Sequence, residues 1–257
     1  MKFSFGKNWF SFATQALDAE RVDEARRDFL TLFFGIPLRD VRFLDIGFGQ
    51  GLVAFLAAEQ GATVLGVDVD EKNLAAVQVS SHYFTVKDSP RFVVGSILEI
   101  NAFRTSLGNE PFDVVHSWGV LHHSGRMWEA FHNAAALVSS NGYLVVSLYR
   151  RNWSSPYWWI VKWIYNHIPS PLQAGMVRLY LSALAVKQRV EGTSDLTPGR
   201  GMDSRHDAID WLGGLPYEYA SVDEVVCNAG TFGFSLQRPP KLNGRIGCVE
   251  YVFKKRL

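Results

Sequence analysis

Between Arg42 and Asp68 the chain sets two short apolar runs around a glycine-rich turn, an arrangement that narrows the fold more than any other feature. The first run closes in Leu44-Asp45-Ile46-Gly47-Phe48-Gly49-Gln50-Gly51, and the second, Val64-Leu65-Gly66-Val67-Asp68, closes in a carboxylate. Glycines let the backbone pass tightly from strand to helix, with no side chain to keep a ligand from the main chain. A carboxylate ending the next strand accepts hydrogen bonds from both hydroxyls of a ribose. The pairing predicts a strand–loop–helix–strand unit that holds an adenosine-bearing molecule.

Two cofactor classes compete for that unit. A dinucleotide prefers Gly-x-Gly-x-x-Gly, with a helix N-terminus aimed at the pyrophosphate. Here the spacing is Gly-x-Gly-x-Gly, and Leu52 stands where the third dinucleotide glycine would fall. Asp45, just before the loop, is poorly placed beside a pyrophosphate and well placed beside an ammonium. S-adenosyl-L-methionine carries an ammonium-bearing tail, a ribose and no phosphate, and fits better than a nicotinamide or flavin dinucleotide. An incidental glycine turn is the bland alternative.

Strand and helix signals alternate along the chain. Strands are expected at Arg42 to Gly47, Thr63 to Asp68, Arg91 to Ser96, Phe112 to Ser117 and Tyr143 to Tyr149, with an antiparallel pair at Phe234 to Arg238 and Cys248 to Lys254. Helices are expected at Ala16 to Phe34, Leu52 to Gln60, Glu71 to Tyr83, Met127 to Val138 and Val222 to Ala229. The expected fold is α/β: a doubly wound, mostly parallel, seven-stranded Rossmann-like sheet with an antiparallel C-terminal strand and a helical lid insertion. Residues 1–149 and 221–257 would form the cofactor-binding catalytic domain, and 150–220 the lid.

Composition removes other classes. A formal net charge of +1 gives no field favouring nucleic acid. The two cysteines, Cys227 and Cys248, make no disulfide framework, and a reduced cytoplasmic setting is expected. The N-terminus has no long apolar core for a signal peptide, and no stretch approaches the roughly 20 apolar residues needed to span a bilayer. No His/Cys/Asp/Glu group has metal-ligand spacing, so no metal is expected.

In an open sheet of this kind ligands bind beyond the carboxyl ends of the strands. The glycine loop, Asp68 and Val69, Ser96 and Ile97, the run Ser117-Trp118-Gly119-Val120-Leu121-His122-His123, and Tyr149-Arg150-Arg151 therefore share one cleft. Leu-Asp-Ile-Gly-x-Gly-x-Gly, then Gly-Val-Asp, then Phe-Asp-Val-Val-x-Ser-x-Gly-Val-Leu-His-His resembles the class I S-adenosylmethionine-dependent methyltransferases, in particular the small-molecule branch of ubiquinone-biosynthesis-type O-methyltransferases. The resemblance is specific over about residues 40 to 150 and weaker beyond. It implies Asp45, Gly47, Gly49 and Gly51 around the methionine part, Asp68 on the ribose, Ser96 and Ile97 at adenine, and Ser117 and Trp118 beneath the sulfonium. Phe48 and Ser96 depart from the family pattern, where a small residue and an Asp are commoner.

Methyl transfer to a hydroxyl needs an aligned nucleophile and a proton acceptor. His122, His123 and His206 are the candidate bases. Tyr149, Arg150, Arg205 and Trp211 are the expected acceptor contacts, with arginines suited to a phosphate or carboxylate. Trp153, Tyr157, Trp158, Trp159, Trp163 and Tyr165 crowd the expected lid, either lining the acceptor site, forming a small core, or facing a membrane or a second copy. The expected activity is O-methylation of a small hydroxylated metabolite, such as a sugar or phosphorylated precursor. The alternatives are a lipophilic phenol or quinone precursor at a membrane surface, or a cofactor-binding module without catalysis.

Overall fold

The computed structural model describes residues 3–99, 110–191, 199–242 and 247–256. Strands β1 (Arg42–Ile46), β2 (Thr63–Asp68), β3 (Arg91–Val94), β4 (Phe112–Trp118), β5 (Val138–Tyr149), β6 (Phe234–Leu236), β7 (Lys241–Leu242) and β8 (Cys248–Lys255) form one sheet. Its order is β3-β2-β1-β4-β5-β8-β6, with the short β7 paired to β8. The first five strands are parallel; β8 runs antiparallel to β5, and β6 and β7 each pair antiparallel with β8. The expected seven strands form this path, and β7 is the addition. Asn141, at φ 64, and Gly142 stand inside β5, where the register against β4 shifts, so the expected turn becomes an irregularity within one longer strand.

Helices pack on both faces because the central strands are apolar on both. Leu44 and Ile46 meet α5 (Met127–Ala136) and α9 (Val222–Thr231) through Phe131, Ala134, Val225 and Ala229. Phe43 faces the other way, toward α2 (Ala19–Leu32) and α3 (Leu52–Glu59), with Phe29, Phe33, Ala54 and Leu56. Phe43, Leu44 and Phe131 are essentially fully buried, each contributing ~1.5–3 kcal/mol from burial alone. Helix α4 (Asn73–Ser81) completes the β2–β3 crossover. Helix starts follow local chemistry: Asp18 caps α2 through the Arg21 N–H, and Ser221 with Glu224 closes a capping box on α9.

The expected helix from Ala16 to Phe34 is two helices. Phe5–Gln15 forms α1, and a break at residues 16–18 separates it from α2. Phe5, Trp9, Phe12 and Ala16 recur at helical spacing, a signal as good as that of α2. In the segment expected as a lid, α6 (Ser155–His167), α7 (Ser170–Glu191) and α8 (Ser204–Gly213) pack around Tyr165, Val177, Ala208 and Leu212, joined by Phe3. Of the expected loop at 197–202, Thr197 and Pro198 lie outside the described residues.

Candidate active site

The glycine loop follows β1 directly. Gly47 sits at φ +77, where any Cβ would collide with Val120, and Gly51 at φ +81 opens α3. Gly49 donates its N–H to Asp68 Oδ2 at 3.0 Å, and the Asp70 N–H reaches Oδ1 at 2.9 Å. Burial pushes the Asp68 carboxyl up, offset in part by the Asp70 and Gly49 amides. Gln50 Oε1 and Asn73 Oδ1 are buried without a partner on the same loop and on α4. Val69, beside Asp68, is 64% exposed, while Ile97 is buried. A carboxylate, unsatisfied acceptors and an exposed apolar side chain around a bare backbone turn fit an adenosine with an amino-acid tail. Asp68, Gly49, Gln50, Val69 and Ile97 are the residues positioned to hold it.

Three expected cofactor contacts have other partners. Asp45 Oδ1 accepts from His116 Nδ1 at 2.7 Å, with both side chains buried beneath the loop, so the carboxylate expected at the ammonium belongs to an Asp–His pair. The Ser117 hydroxyl, also buried, donates to the Ile46 carbonyl at 3.1 Å and ties β4 to β1. Ser96 Oγ accepts the Leu98 N–H at 3.2 Å and shapes the short turn at Ile97–Glu99. Strand and turn hydrogen bonding claims all three.

Beyond the ends of β4 and β5 lies a packed cluster of rings, the chamber wall, with Tyr149, Tyr217 and Cys248 buried among Trp118, Trp158 and Trp211. Trp118 donates its indole N–H to Glu250 Oε1 at 2.8 Å, and the Arg200 guanidinium stacks on its ring 3.1 Å from the centroid. Tyr149 packs against Trp211 at 5.3 Å and Tyr217 at 5.1 Å, measured between centroids. Lys162, wholly buried on α6, donates to the Trp211 carbonyl among these rings. Asp207 and Asp210 of α8 face Lys162, and burial pushes both carboxyls up, Asp210 to about 8.

The expected bases separate clearly. His122 is fully buried and its Nδ1 accepts the Tyr149 N–H at 3.3 Å, which places the proton on Nε2 and leaves no lone pair free. Burial, aided by His123 and Lys162, pulls it far below the usual imidazole range. His123 is half-buried and donates from Nδ1 to the Pro216 carbonyl at 2.6 Å, so its Nε2 carries a lone pair. Burial and Lys162 pull it down to about 3. His206 uses both ring nitrogens, Nδ1 on Asp203 and Nε2 on Ser11 Oγ at 3.1 Å. It is a clip between α8 and α1, not a base over the cleft.

Two expected acceptor contacts also lie elsewhere. Alternation along the strand points Arg150 away from Tyr149, to the face that carries Tyr251. Arg205 lines a surface cavity of about 370 Å³ with Gln15, Asp18, Arg21, Asp203 and His206. Tyr149 and Trp211 remain in the chamber.

Residues not singled out from sequence complete the site. Helix α1 roofs it: the Gly6 N–H meets Asp70 at 3.0 Å, Trp9 lies against Gly49, and Phe5 packs on His123 at 4.9 Å. Asn8 Nδ2 donates to Asp210 Oδ1 at 2.7 Å and to the His206 carbonyl at 3.0 Å. The helical spacing of Phe5 and Trp9 was the available signal for α1; nothing local marks Asn8 or Lys162.

A parallel sheet with antiparallel closing strands, and an adenosine-type site at its switch point, defines the S-adenosyl-L-methionine-dependent methyltransferase class. The family model described as "Methyltransferase domain" matches residues 19–193, and the chain belongs to that family. Its relatives include the ubiquinone biosynthesis O-methyltransferase of Bradyrhizobium diazoefficiens, 32% identical over 118 residues, which are 46% of this chain and 44% of that protein. The protein of the same description from Azorhizobium caulinodans is 30% identical over 58% of this chain and 60% of its own length. The chain thus spans about half the length of the curated relatives it matches. Among solved structures, magnesium protoporphyrin IX methyltransferase from Synechocystis PCC 6803, with bound SAH, superposes at a TM-score of 0.54. At 17% identity over 92% of this chain and 83% of that one, this likeness speaks for the fold.

Proposed function

We propose that the chamber O-methylates a small acceptor bearing its hydroxyl on an aromatic ring. The observation that supports this reading is His123, whose Nδ1–Pro216 bond leaves the lone pair on Nε2, set against Tyr149, which in turn packs on Trp211 and Tyr217. Flat rings accept a flat ring by offset or edge contact, worth ~0.5–1.5 kcal/mol per pair beyond area burial. Of the arginines suited to a phosphorylated acceptor, Arg205 lines the outer cavity and Arg151 pairs with Glu224 at 2.9 Å, which leaves Arg200, stacked on Trp118, as the one beside the rings. S-adenosyl-L-methionine, when bound, supplies an electrophilic methyl group. This chain's residues align the acceptor, exclude water beneath α1 and the lid, and take the hydroxyl proton at His123 Nε2. The relatives' descriptions as O-methyltransferases support oxygen as the accepting atom.

A second observation extends the reading to a membrane surface. Trp153 is 95% exposed and Tyr157, Trp159, Ile160 and Trp163 of α6 also face outward. Exposed Trp and Tyr on a helix suit the headgroup level of a bilayer, from which a lipophilic phenol would enter. Among the described residues no helix is long and apolar enough to cross a membrane, so the contact is peripheral.

The test is incubation with methyl-labelled donor and fractionated cell extract, followed by mass spectrometry of the labelled product. An aryl methyl ether is expected. Label on nitrogen, carbon or an aliphatic alcohol overturns the aromatic-hydroxyl reading.

A further inference from the structure

We propose that Lys162 is a positioning residue for the transfer: caged against Tyr149, its ammonium opposes a second positive charge on His123 and so sets when that imidazole takes the acceptor's proton. The proposal rests on His123 being the proton acceptor. Lys162 projects from α6 into full burial, with Nζ 4.2 Å from the Trp211 ring centroid, 4.8 Å from Tyr217 and 5.4 Å from Tyr149. The same Tyr149 ring meets His122 at 3.9 Å and His123 at 5.3 Å. The ammonium and both imidazoles therefore all stand against one ring.

No ion pair among the described residues includes Lys162. A buried ammonium without a paired carboxylate is costly, and methionine would fill the same volume without that cost. One structural task is evident, since Trp211 lies in the last turn of α8, where carbonyls lack helical donors. A glutamine can perform that task. Only a charge effect requires the lysine.

The groups facing Lys162 are Asp207 and Asp210 from α8, Cys248 from β8, Tyr149 from β5, Tyr217 after α8, and the two histidines. Burial raises Asp210 to about 8, so at neutral pH it is mostly uncharged, while Asp207, raised by burial and drawn down by Arg200 and Lys162, attracts the ammonium and offsets part of its effect on His123. Burial lowers Lys162 to about 7. Below that pH the ammonium is present, and protonating His123 adds a second positive charge to one water-poor compartment. Above it the amine is neutral, and the acceptor's O–H hands its proton to Nε2 while its electron pair stays on oxygen. The rate should therefore climb with pH through about 7. A like charge at this range alters proton affinity roughly tenfold to a hundredfold.

The experiment is side-chain histidine NMR on the full chain saturated with S-adenosylhomocysteine, comparing wild type, K162Q and K162M, with H123Q to assign the signal. K162Q keeps a donor for the Trp211 carbonyl; K162M keeps the volume. Titrated over about pH 3 to 8, wild-type His123 should show its midpoint near 3, and that midpoint should rise by about one unit or more in both variants. Methyl transfer to catechol, a probe acceptor whose own hydroxyls ionise well above this range, should show its acid limb near 7 in wild type and at lower pH in the variants. A His123 midpoint unmoved in both folded variants overturns the proposal. So does K162Q slowing transfer equally at every pH, which would leave Lys162 a capping role alone. If H123Q turns over the probe like wild type, the reading of His123 fails instead. If wild type leaves the probe unmethylated while the midpoint shifts as stated, the charge coupling is supported and the aromatic-hydroxyl reading is what fails.

Discussion

The proposed cofactor half and the proposed acceptor half of the cleft are built on opposite plans. The glycine loop, Asp68, Val69 and Ile97 come from three consecutive strand ends within one continuous stretch, and each is placed by the strand just before it. The acceptor half draws Asn8 from α1, His123 from the turn after β4, Tyr149 from β5, Lys162 from α6, Trp211 from α8 and Cys248 from β8. Its key contacts span up to 202 positions in sequence, as in the Asn8–Asp210 bond. Local placement makes the first half rigid and recognisable. The second is a matter of tertiary packing, where a substitution in one helix is felt by the others.

The largest effect should come from breaking the cofactor half. Asp68→Ala removes the acceptor of the Gly49 and Asp70 amides as well as the expected ribose contact. Hydrogen bonds to a charged group contribute ~1.5–3 kcal/mol each, so affinity for S-adenosylhomocysteine should fall at least about 100-fold by calorimetry. Binding within threefold of wild type would remove Asp68 from the cofactor site. The acceptor half offers no single substitution of that size in donor affinity, since its residues stand beyond the glycine loop.

That contrast explains what could be read in advance. Strand ends, glycines and the carboxylate lie within a few residues of each other, and periodicity locates them. Arg205 and His206, both expected at the acceptor, are neighbours in sequence with Asp207, but successive helical residues turn by about 100°. On α8 the three therefore part company: Arg205 faces the outer cavity, His206 clips to Ser11, and Asp207 faces Lys162. Likewise Asp45 and Ser117 carry the expected residue types, yet the neighbouring strands supply His116 and the Ile46 carbonyl as partners. Cross-strand partners depend on register, which the spacing of one strand does not reveal. Lys162, a lysine within an aromatic helix, reads as a solvated charge until α8 closes over it.

A smaller effect sharpens the difference at the outer surface of the acceptor half. Trp153→Ala with Trp159→Ala removes two outward aromatics, 95% and 48% exposed, without touching the chamber. Co-sedimentation with anionic phospholipid vesicles should fall about tenfold, at a cost of ~1 kcal/mol or less per residue. Donor affinity should not change. Wild type that stays in the supernatant, or a double variant that pellets equally, would end the membrane reading.

The smallest effect on chemistry should follow loss of His206, the residue whose appearance in sequence and role in structure differ most. Its ring bonds Asp203 and Ser11 and meets Phe12 edge-on at 5.5 Å, so it joins α8 to the helix that roofs the glycine loop. His206→Gln should lower stability by ~1–3 kcal/mol, from two lost hydrogen bonds, read as a drop in Tm. Turnover per folded molecule should stay within about threefold, where loss of a general base costs a hundredfold or more. The pH dependence separates the two roles further. Burial alone would raise the Asp203 carboxyl, but hydrogen bonds from His206 outweigh it and hold it below its ordinary 3.8. Stability from a depressed carboxyl is present above the unfolded value and is lost as pH falls through the folded one. The Tm gap between wild type and variant should therefore be widest near neutrality and shrink below pH 3.8. A gap that stays constant with pH, together with a turnover loss beyond about tenfold, would move His206 out of the clip and back over the acceptor.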